Sequence, residues 1–590
     1  MNQKLTKIIR LLTFSLCVCS SGSVVAKSTV TFMHLNDLHA NLVPHNDLVQ
    51  NVDKPGTEYV ERGGLARTAT LIKKIRQNNP NSVLMNIGDT YHGGVEAVFT
   101  SGEAIIDPVN ALGIDVGVAG NWDFAFGPKV TRERYGQSVM SFFKKGKRPN
   151  FPNLAANVTY SAPFFKKGKP FMPATMLPQV GDVSVGFIGI TSDIVPQMAS
   201  FLALGLEFAE GEAAYLKLIE QHSAELRAKG ADIVVVMSEL GLQKDVRLAN
   251  LVTPNSVDVF FSAHTHETTF EPIQSESGAL VVESGNDGYL GQMDIVVDDE
   301  HIVIARNWTL HAIDHRLAED PAMKALVAKA RAPFLADDVN MTAGLMQGMQ
   351  TLTQPINTVI GRTKAPMTRR HSLESDFNNA LTDILRDMTG TDVAMTKGFR
   401  FESVIPEVGA KTEQDHVATG DITLEDVYRF FPTAYQFATA TTTPARLKSI
   451  IEEGLTNTYS ADVFKQNGGW FEGFSGLNLV LDLTAKDGER VLAMLIDGLN
   501  STVDDVAEIT VTGCVRPIES AGIMCDFNGF NDVERLINPD TGAAWSNIEL
   551  FVKAVQEQRL PIQTRRTVED VSETPLWPIA DFIQPVNGVQ

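Results

Sequence analysis

Five apolar, β-branched runs in the first half of this chain each break off into a loop bearing carboxylate, imidazole or amide side chains. Residues 30–35 lead into Asn36-Asp37-Leu38-His39, and residues 82–87 into Gly88-Asp89-Thr90-Tyr91-His92-Gly93-Gly94. Residues 115–119 lead into Gly120-Asn121-Trp122-Asp123, and residues 231–237 into Ser238-Glu239-Leu240-Gly241. Residues 257–261 lead into Ala263-His264-Thr265-His266-Glu267. Such runs predict buried strands. Between them, helical stretches are expected over 65–77, opened by Gly63-Gly64 and stopped by Asn79-Pro80, over 104–112 and over 212–229. Alternating strands and helices predict a layered α/β domain, whose sites lie beyond the carboxyl ends of the strands.

Alternate residues of an extended segment share a face, so Asp37 and His39 can turn towards one point. One such pair is an ordinary solvated loop more often than a ligand set; five junctions in succession predict a shared site. Asp37, His39, Asp89, Asn121, Glu239, His264 and His266 supply the ligands that two divalent cations need if one carboxylate bridges them. The mixture of oxygen and nitrogen donors suits Mn or Zn.

At 590 residues the chain is too long for one core, and its composition is that of an ordinary globular protein. A formal charge of −21 argues against nucleic acid or anionic membrane as a partner, while bound cations would still admit a small anionic substrate. Lys4, Lys7 and Arg10, the apolar residues 11–19 and the small residues Val24-Val25-Ala26 predict an export signal over 1–26, and with it a periplasmic or secreted protein. Acylation at Cys17 or Cys19 is disfavoured because small residues do not precede either. Nothing later approaches the length of a membrane span. Cleavage leaves Cys514 and Cys525, either a disulfide or two buried thiols.

The expected first domain covers 27–315, closing with strands over 279–283, 293–297 and 302–310. A helical linker follows over 316–351. A second domain over 352–572 holds helices over 374–389 and 444–455 and strands over 392–395 and 477–483, before a Pro-interrupted surface tail over 573–590.

With those residues in view, the chain resembles the exported 5′-nucleotidase family. Asp37 and His39 match its D-x-H motif, Asp89 its bridging carboxylate, Asn121 the Asn of its G-N-H-E/D box, and His264 and His266 its G-H-T-H box. Gly63-Gly64-Leu65-Ala66-Arg67 is similar to its first helix start. The resemblance implies an α/β fold with an N-terminal four-layer metallophosphatase-type β-sandwich flanked by helices, then a C-terminal α+β domain of 5′-nucleotidase type. It also implies that Asp37, His39, Asp89 and His266 hold one ion, and Asp89, Asn121, Glu239 and His264 the other.

Three departures bear on function. The family's catalytic His is Trp122 here, the acid that orients it is Ala125, and a metal-binding His is Glu239. A positioned acid or base contributes typically about 10²–10⁴-fold, and an indole cannot shuttle a proton. A carboxylate at 239 shifts preference towards harder cations such as Mn. Gly398-Phe399-Arg400-Phe401 aligns with the family's substrate-arginine segment, so Arg400 is expected to grip the substrate anion. That segment, Trp122 and the run 459–476 with Gln466-Asn467-Gly468-Gly469 also resemble the thiosulfohydrolase of the periplasmic sulfur-oxidising system. Phe471 or Phe474 matches the first ring of the family's base clamp, and Phe527 or Phe530 offers the second; the alternative is that these rings are core. His92 is either a substitute proton donor or a solvated loop residue, and His34 is expected to be a core histidine.

The resemblance therefore implies hydrolysis of phosphate monoesters such as nucleotides by metal-activated hydroxide, with Asn121, Trp122 and Arg400 at the reacting centre. Two alternatives stand beside it: release of sulfate from a sulfur-linked carrier protein, and a non-catalytic nucleotide- or metal-binding protein.

Overall fold

The computed structural model describes residues 27–50, 57–136, 147–162, 166–400, 403–498, 507–517 and 522–572. The expected export signal over 1–26 and the tail over 573–590 lie outside the described residues.

Two sheets form the N-terminal half. In the first, Val303–Ala312, Tyr289–Val297, Ser28–Asn36, Ser82–Ile87 and Val116–Val118 lie side by side, the last three mutually parallel. In the second, Leu280–Glu283, Val259–Ser262, Ile233–Ser238 and Val183–Ile190 run parallel, with short antiparallel strands at both edges. Period-two alternation sorts their side chains between layers. Val30, Phe32 and Met85 meet Phe187, Val235 and Phe261 in a core between the sheets, where the Phe32 ring lies 5.7 Å from that of Phe261. Met33, Leu35 and Leu84 turn the other way, onto helices Leu65–Asn78 and Glu103–Ala111. Val234, Val236 and Phe260 likewise pack on Glu212–Ala228 and Leu242–Leu251. The outcome is helix, sheet, sheet, helix, the four layers expected. Burying one such Phe contributes about 1.5–3 kcal/mol, so these alternating faces dominate the stability of the sandwich.

Val183–Ile190 is a central strand absent from the sequence reading. Gly186 and Gly189 dilute its apolar signature, and Gly189 is needed because a Cβ there would meet the Leu154 side chain at 2.3 Å.

The C-terminal half is α+β. A mixed five-stranded sheet runs Trp470–Ser475, Val393–Gly398, Ile509–Val515, Gln436–Thr442, Asn531–Arg535. Helices Asp376–Thr389 and Pro444–Tyr459 contribute to its core. The first starts at Ser375, whose side chain accepts from Asn378 N–H, and stops at Gly390 in left-handed backbone. Its Phe377 stacks on Phe430 with centroids 3.8 Å apart, under the Arg369 guanidinium. Cys514 and Cys525 are joined in a disulfide.

Between the halves, Asp320 caps helix Pro321–Arg331 by accepting from Met323 N–H. After it comes a strand pair, Met341–Thr342 with Thr351–Leu352. The halves touch through buried charges. Arg370 pairs with Asp47, and Arg331 with both Glu96 and Glu425.

Candidate metal centre

The strand ends deliver their side chains to one buried point. Asp37, His39 and His266 each offer a ligand atom within 4.8 Å of the others, and so do Asp89, Glu239 and His264. Asp89 also ties the two triads together, its Oδ2 lying 3.8 Å from His39 Nε2. In the first triad His39 Nε2 is 3.0 Å from His266 Nε2, and His266 Nε2 is 3.3 Å from Asp37 Oδ1. In the second, His264 Nδ1 is 3.9 Å from Glu239 Oε1. Glu239 is fully buried.

Local backbone explains how the strands end this way. Asp37, His39, Asp89, His264 and His266 all have positive φ, between 40° and 84°, so each chain doubles back to aim its side chain inward. Two glycines permit the crowding. A Cβ on Gly88 would fall 1.9 Å from Glu239 Oε2, and one on Gly120 would fall 2.2 Å from Asp89 N. Asn121 follows Gly120; its Nδ2 donates to Met198 Sδ at 3.4 Å, and the next residue's N–H, that of Trp122, donates to Asp89 Oδ1 at 2.8 Å.

The electrostatics are those of a site built around cations. Burial, with the charges of Asp37 and Asp123, holds Asp89 well above the ordinary carboxylate range. Glu239 is raised the same way by burial, then by Asp37 and Asp89. Burial acts to raise Asp37 too, but His266 and His39 hold it below its usual value. His39 is pushed down to about 4 by burial and the neighbouring His266. Both Glu239 oxygens, Asn121 Oδ1 and His264 Nδ1 are buried without a hydrogen-bond partner. Buried acceptors facing one another without donors are costly unless a cation lies between them, so these residues fit a pair of divalent ions.

Several neighbours carry no role in the sequence reading. Asp123 accepts from Thr90, Tyr91 and Gly120 N–H and so staples two ligand loops together. Asn36 Nδ2 donates to Asp37 Oδ2 at 2.8 Å. Glu283 ends another apolar strand and accepts from Thr265 between the two imidazoles. That junction has the same signature as the five others and was legible.

The remaining expected residues fall differently. Trp122 stacks on His92 at 4.9 Å and meets Phe399 edge-on at 6.1 Å. His92 is fully buried there, which corrects the solvated alternative. His34 is a core histidine, edge-on to Phe261. Arg400 reaches the centre, but its Nη1 donates to His264 O at 3.0 Å and its Nη2 to Gly469 O at 3.3 Å. Its fork therefore meets backbone carbonyls in this arrangement. Phe471 and Phe474 are 2% and 4% exposed and pack on each other in the C-terminal core, so neither presents a face to a ligand. In this arrangement both rings belong to the C-terminal core. Phe530 is core as well, and Phe527 lies under the Lys397 ammonium.

Comparisons with known proteins agree with this anatomy. The calcineurin-like phosphoesterase family matches residues 30–268, and the 5′-nucleotidase C-terminal domain family matches residues 359–513. A snake venom 5′-nucleotidase of Gloydius brevicauda is 24% identical over 502 residues, 81% of this chain and 78% of that protein. The 5′-nucleotidase of Homo sapiens is 24% identical over 79% of this chain and 77% of its own. Among solved structures, a sulfate thiohydrolase of Thermus thermophilus superposes with a TM-score of 0.72 at 18% identity, covering 93% of this chain and 98% of its own. A 5′-nucleotidase precursor of the same organism superposes with 0.69 at 21%, covering 93% and 100%. These structural likenesses establish the fold. The two family matches lie in order on the two halves described above, and the chain belongs to the metallophosphoesterase/5′-nucleotidase superfamily of hydrolases.

Proposed function

We propose that the chain hydrolyses phosphate monoesters, nucleotides among them, with a pair of Mn or Zn ions. The observation that carries this is the pair of buried triads sharing a crowded set of unpartnered acceptor atoms. Asp37, His39 and His266, with Asp89, would hold one ion; Asp89, Asn121, Glu239 and His264 would hold the other. Such a pair supplies a hydroxide nucleophile near neutral pH and polarises the phosphoryl oxygens. The Glu239 carboxylate favours Mn. The chain's own contribution is positional. Asp123 and Trp122 N–H fix the Asp89 loop, and Asn36 fixes Asp37. Arg400 brings positive charge to the rim beside His264.

Trp122 supports a second reading, release of sulfate from a sulfur-linked carrier protein. Its indole, packed between His92 and Phe399, provides no titrating proton, and a sulfur leaving group departs as a stable anion without one. Export to the periplasm or beyond is inferred from residues 1–26 and is supported by the Cys514–Cys525 disulfide. No helix among the described residues is long and apolar enough to cross a membrane.

The test is elemental analysis of protein purified from its native compartment, followed by turnover assays with added Mn. About two ions per chain and phosphate released from nucleotides support the first reading. Sulfate from a thiosulfonate with no phosphate from nucleotides decides for the second, and metal without any turnover leaves a binding protein.

A further inference from the structure

The two sides of the centre differ in access. On the His264 side, Gly468 sits in left-handed backbone so close that a Cβ would fall 2.9 Å from His264 Nε2. Arg400 bonds to His264 O there and covers the Trp470 ring at 4.6 Å. On the other side lies an open cleft lined by His39, Asn41, His45, His266, Asp287 and Arg429. Asp287 has both oxygens engaged, Oδ2 by His45 Nε2 at 3.0 Å and Oδ1 by Asn41 Nδ2 at 3.1 Å. Arg429 comes from the C-terminal half; its Nη2 donates to Glu425 Oε1 at 3.0 Å. A guanidinium carries five N–H donors in a fork suited to carboxylates, so Arg429 keeps donors for the cleft. No Phe, Tyr or Trp is among the described lining residues.

We propose that this cleft is the leaving-group subsite, and that it selects a compact alcohol with an anionic end, the hydroxy-acid class, over a nucleoside. The proposal rests on the phosphomonoesterase reading and narrows it. The ester's phosphoryl group lies at the metal centre, its carboxylate meets Arg429, and its short carbon chain spans the cleft between them. In the reaction the water oxygen bonds to phosphorus and the phosphorus–oxygen bond to the leaving group breaks. The departing oxygen takes one proton originating from the water, giving the free hydroxy acid and inorganic phosphate. A flat base has no ring to stack on in this cleft, and Phe471 and Phe474 lie in the core.

The test uses the full-length, metal-loaded protein. Turnover of 3-phosphoglycerate, glycerol 3-phosphate and AMP is compared as kcat/KM. The carboxylate of the first should raise its value about ten- to a hundredfold over the second, the worth of one charge-assisted hydrogen bond. AMP should fall below both. Arg429→Gln should bring the first ratio close to one and Arg429→Lys should keep most of it. His45→Gln, which leaves Asp287 less compensated, should lower it too. Thermal unfolding checks that each variant is folded. Calorimetric binding of 3-phosphonopropionate against ethylphosphonate gives the same ratio without catalysis. If no ester is hydrolysed while this binding ratio and its loss in Arg429→Gln are found, the hydrolase reading fails and the subsite stands. AMP turned over faster than both compact esters, or a ratio unmoved by Arg429→Gln in folded protein, overturns the subsite.

Discussion

Glu239→Gln separates a carboxylate kept for a cation from one that holds the fold together. In metal-free protein, Glu239 and Asp89 place ligand oxygens within 4.8 Å of each other, both fully buried. At an effective dielectric of about 20, two charges at that distance repel by about 3.5 kcal/mol. The protein can avoid this by protonating Glu239, which is raised by burial and its acidic neighbours. Holding a carboxyl whose ordinary pKa is 4.5 protonated at pH 7 costs about 3.4 kcal/mol, so either route costs a similar amount. The amide removes that cost. In chelator-treated buffer Glu239→Gln should therefore melt higher than wild type by several degrees, at about 2–4 °C per kcal/mol for a domain of this size. Excess Mn should reverse the order, because saturation at about a thousand times Kd adds about 4.1 kcal/mol, more than the cost removed, only to the protein that binds it well. The assay is thermal unfolding followed by circular dichroism, with chelator and with Mn. A variant that melts lower than wild type under both conditions would refute the argument, since Glu239 would then be a structural group.

Three further outcomes follow from other parts of the fold. Burial holds His34 down to about 3, so below pH 6.5 the unfolded chain takes up a proton that the folded chain refuses, and stability falls with pH. Between pH 6.5 and 5 the loss is about 2 kcal/mol, and His34→Leu should flatten that part of a pH–stability curve measured by urea titration; an unchanged slope counts against the assignment. Replacing Cys514 and Cys525 together by Ser opens a loop with a sequence separation of 11 and should cost about 2.8 kcal/mol in the same titration. Gly120→Ala forces a methyl against Asp89 N and should lower metal content by elemental analysis; a full complement of ions would show that the loop can yield.

What the sequence displayed was whatever is local. Each of the five junctions joins an apolar run to a ligand residue a few positions away; the side chains of four of them converge, and the fifth loop, that of Asn121, joins the Asp89 loop through Trp122 N–H. Glu283 carries the same signature, though its strand reads in sequence as a closing element of the first domain. Val183–Ile190 escaped because Gly186 and Gly189 dilute its apolar run, and only the approach of Leu154 explains Gly189. Phe471 and Phe474 went the other way. Either could be the first ring of a clamp, and contacts far away in sequence, such as the pairing of Phe474 with Met395, place both in the core. The direction of the Arg400 fork depends on His264, 136 positions earlier, and nothing near Arg400 encodes it. His92 was buried by Trp122, again a partner outside its own loop.

The left-handed backbone at Asp37, His39, Asp89, His264 and His266 has a consequence for anyone wishing to toughen this protein. Each such residue sits in a conformation that costs about 1–2 kcal/mol and that glycine adopts freely. A screen selecting only for resistance to heat in the absence of metal would thus be drawn to the mouths of these strands. The most durable offspring of such a screen would be chains that have forgotten how to hold an ion.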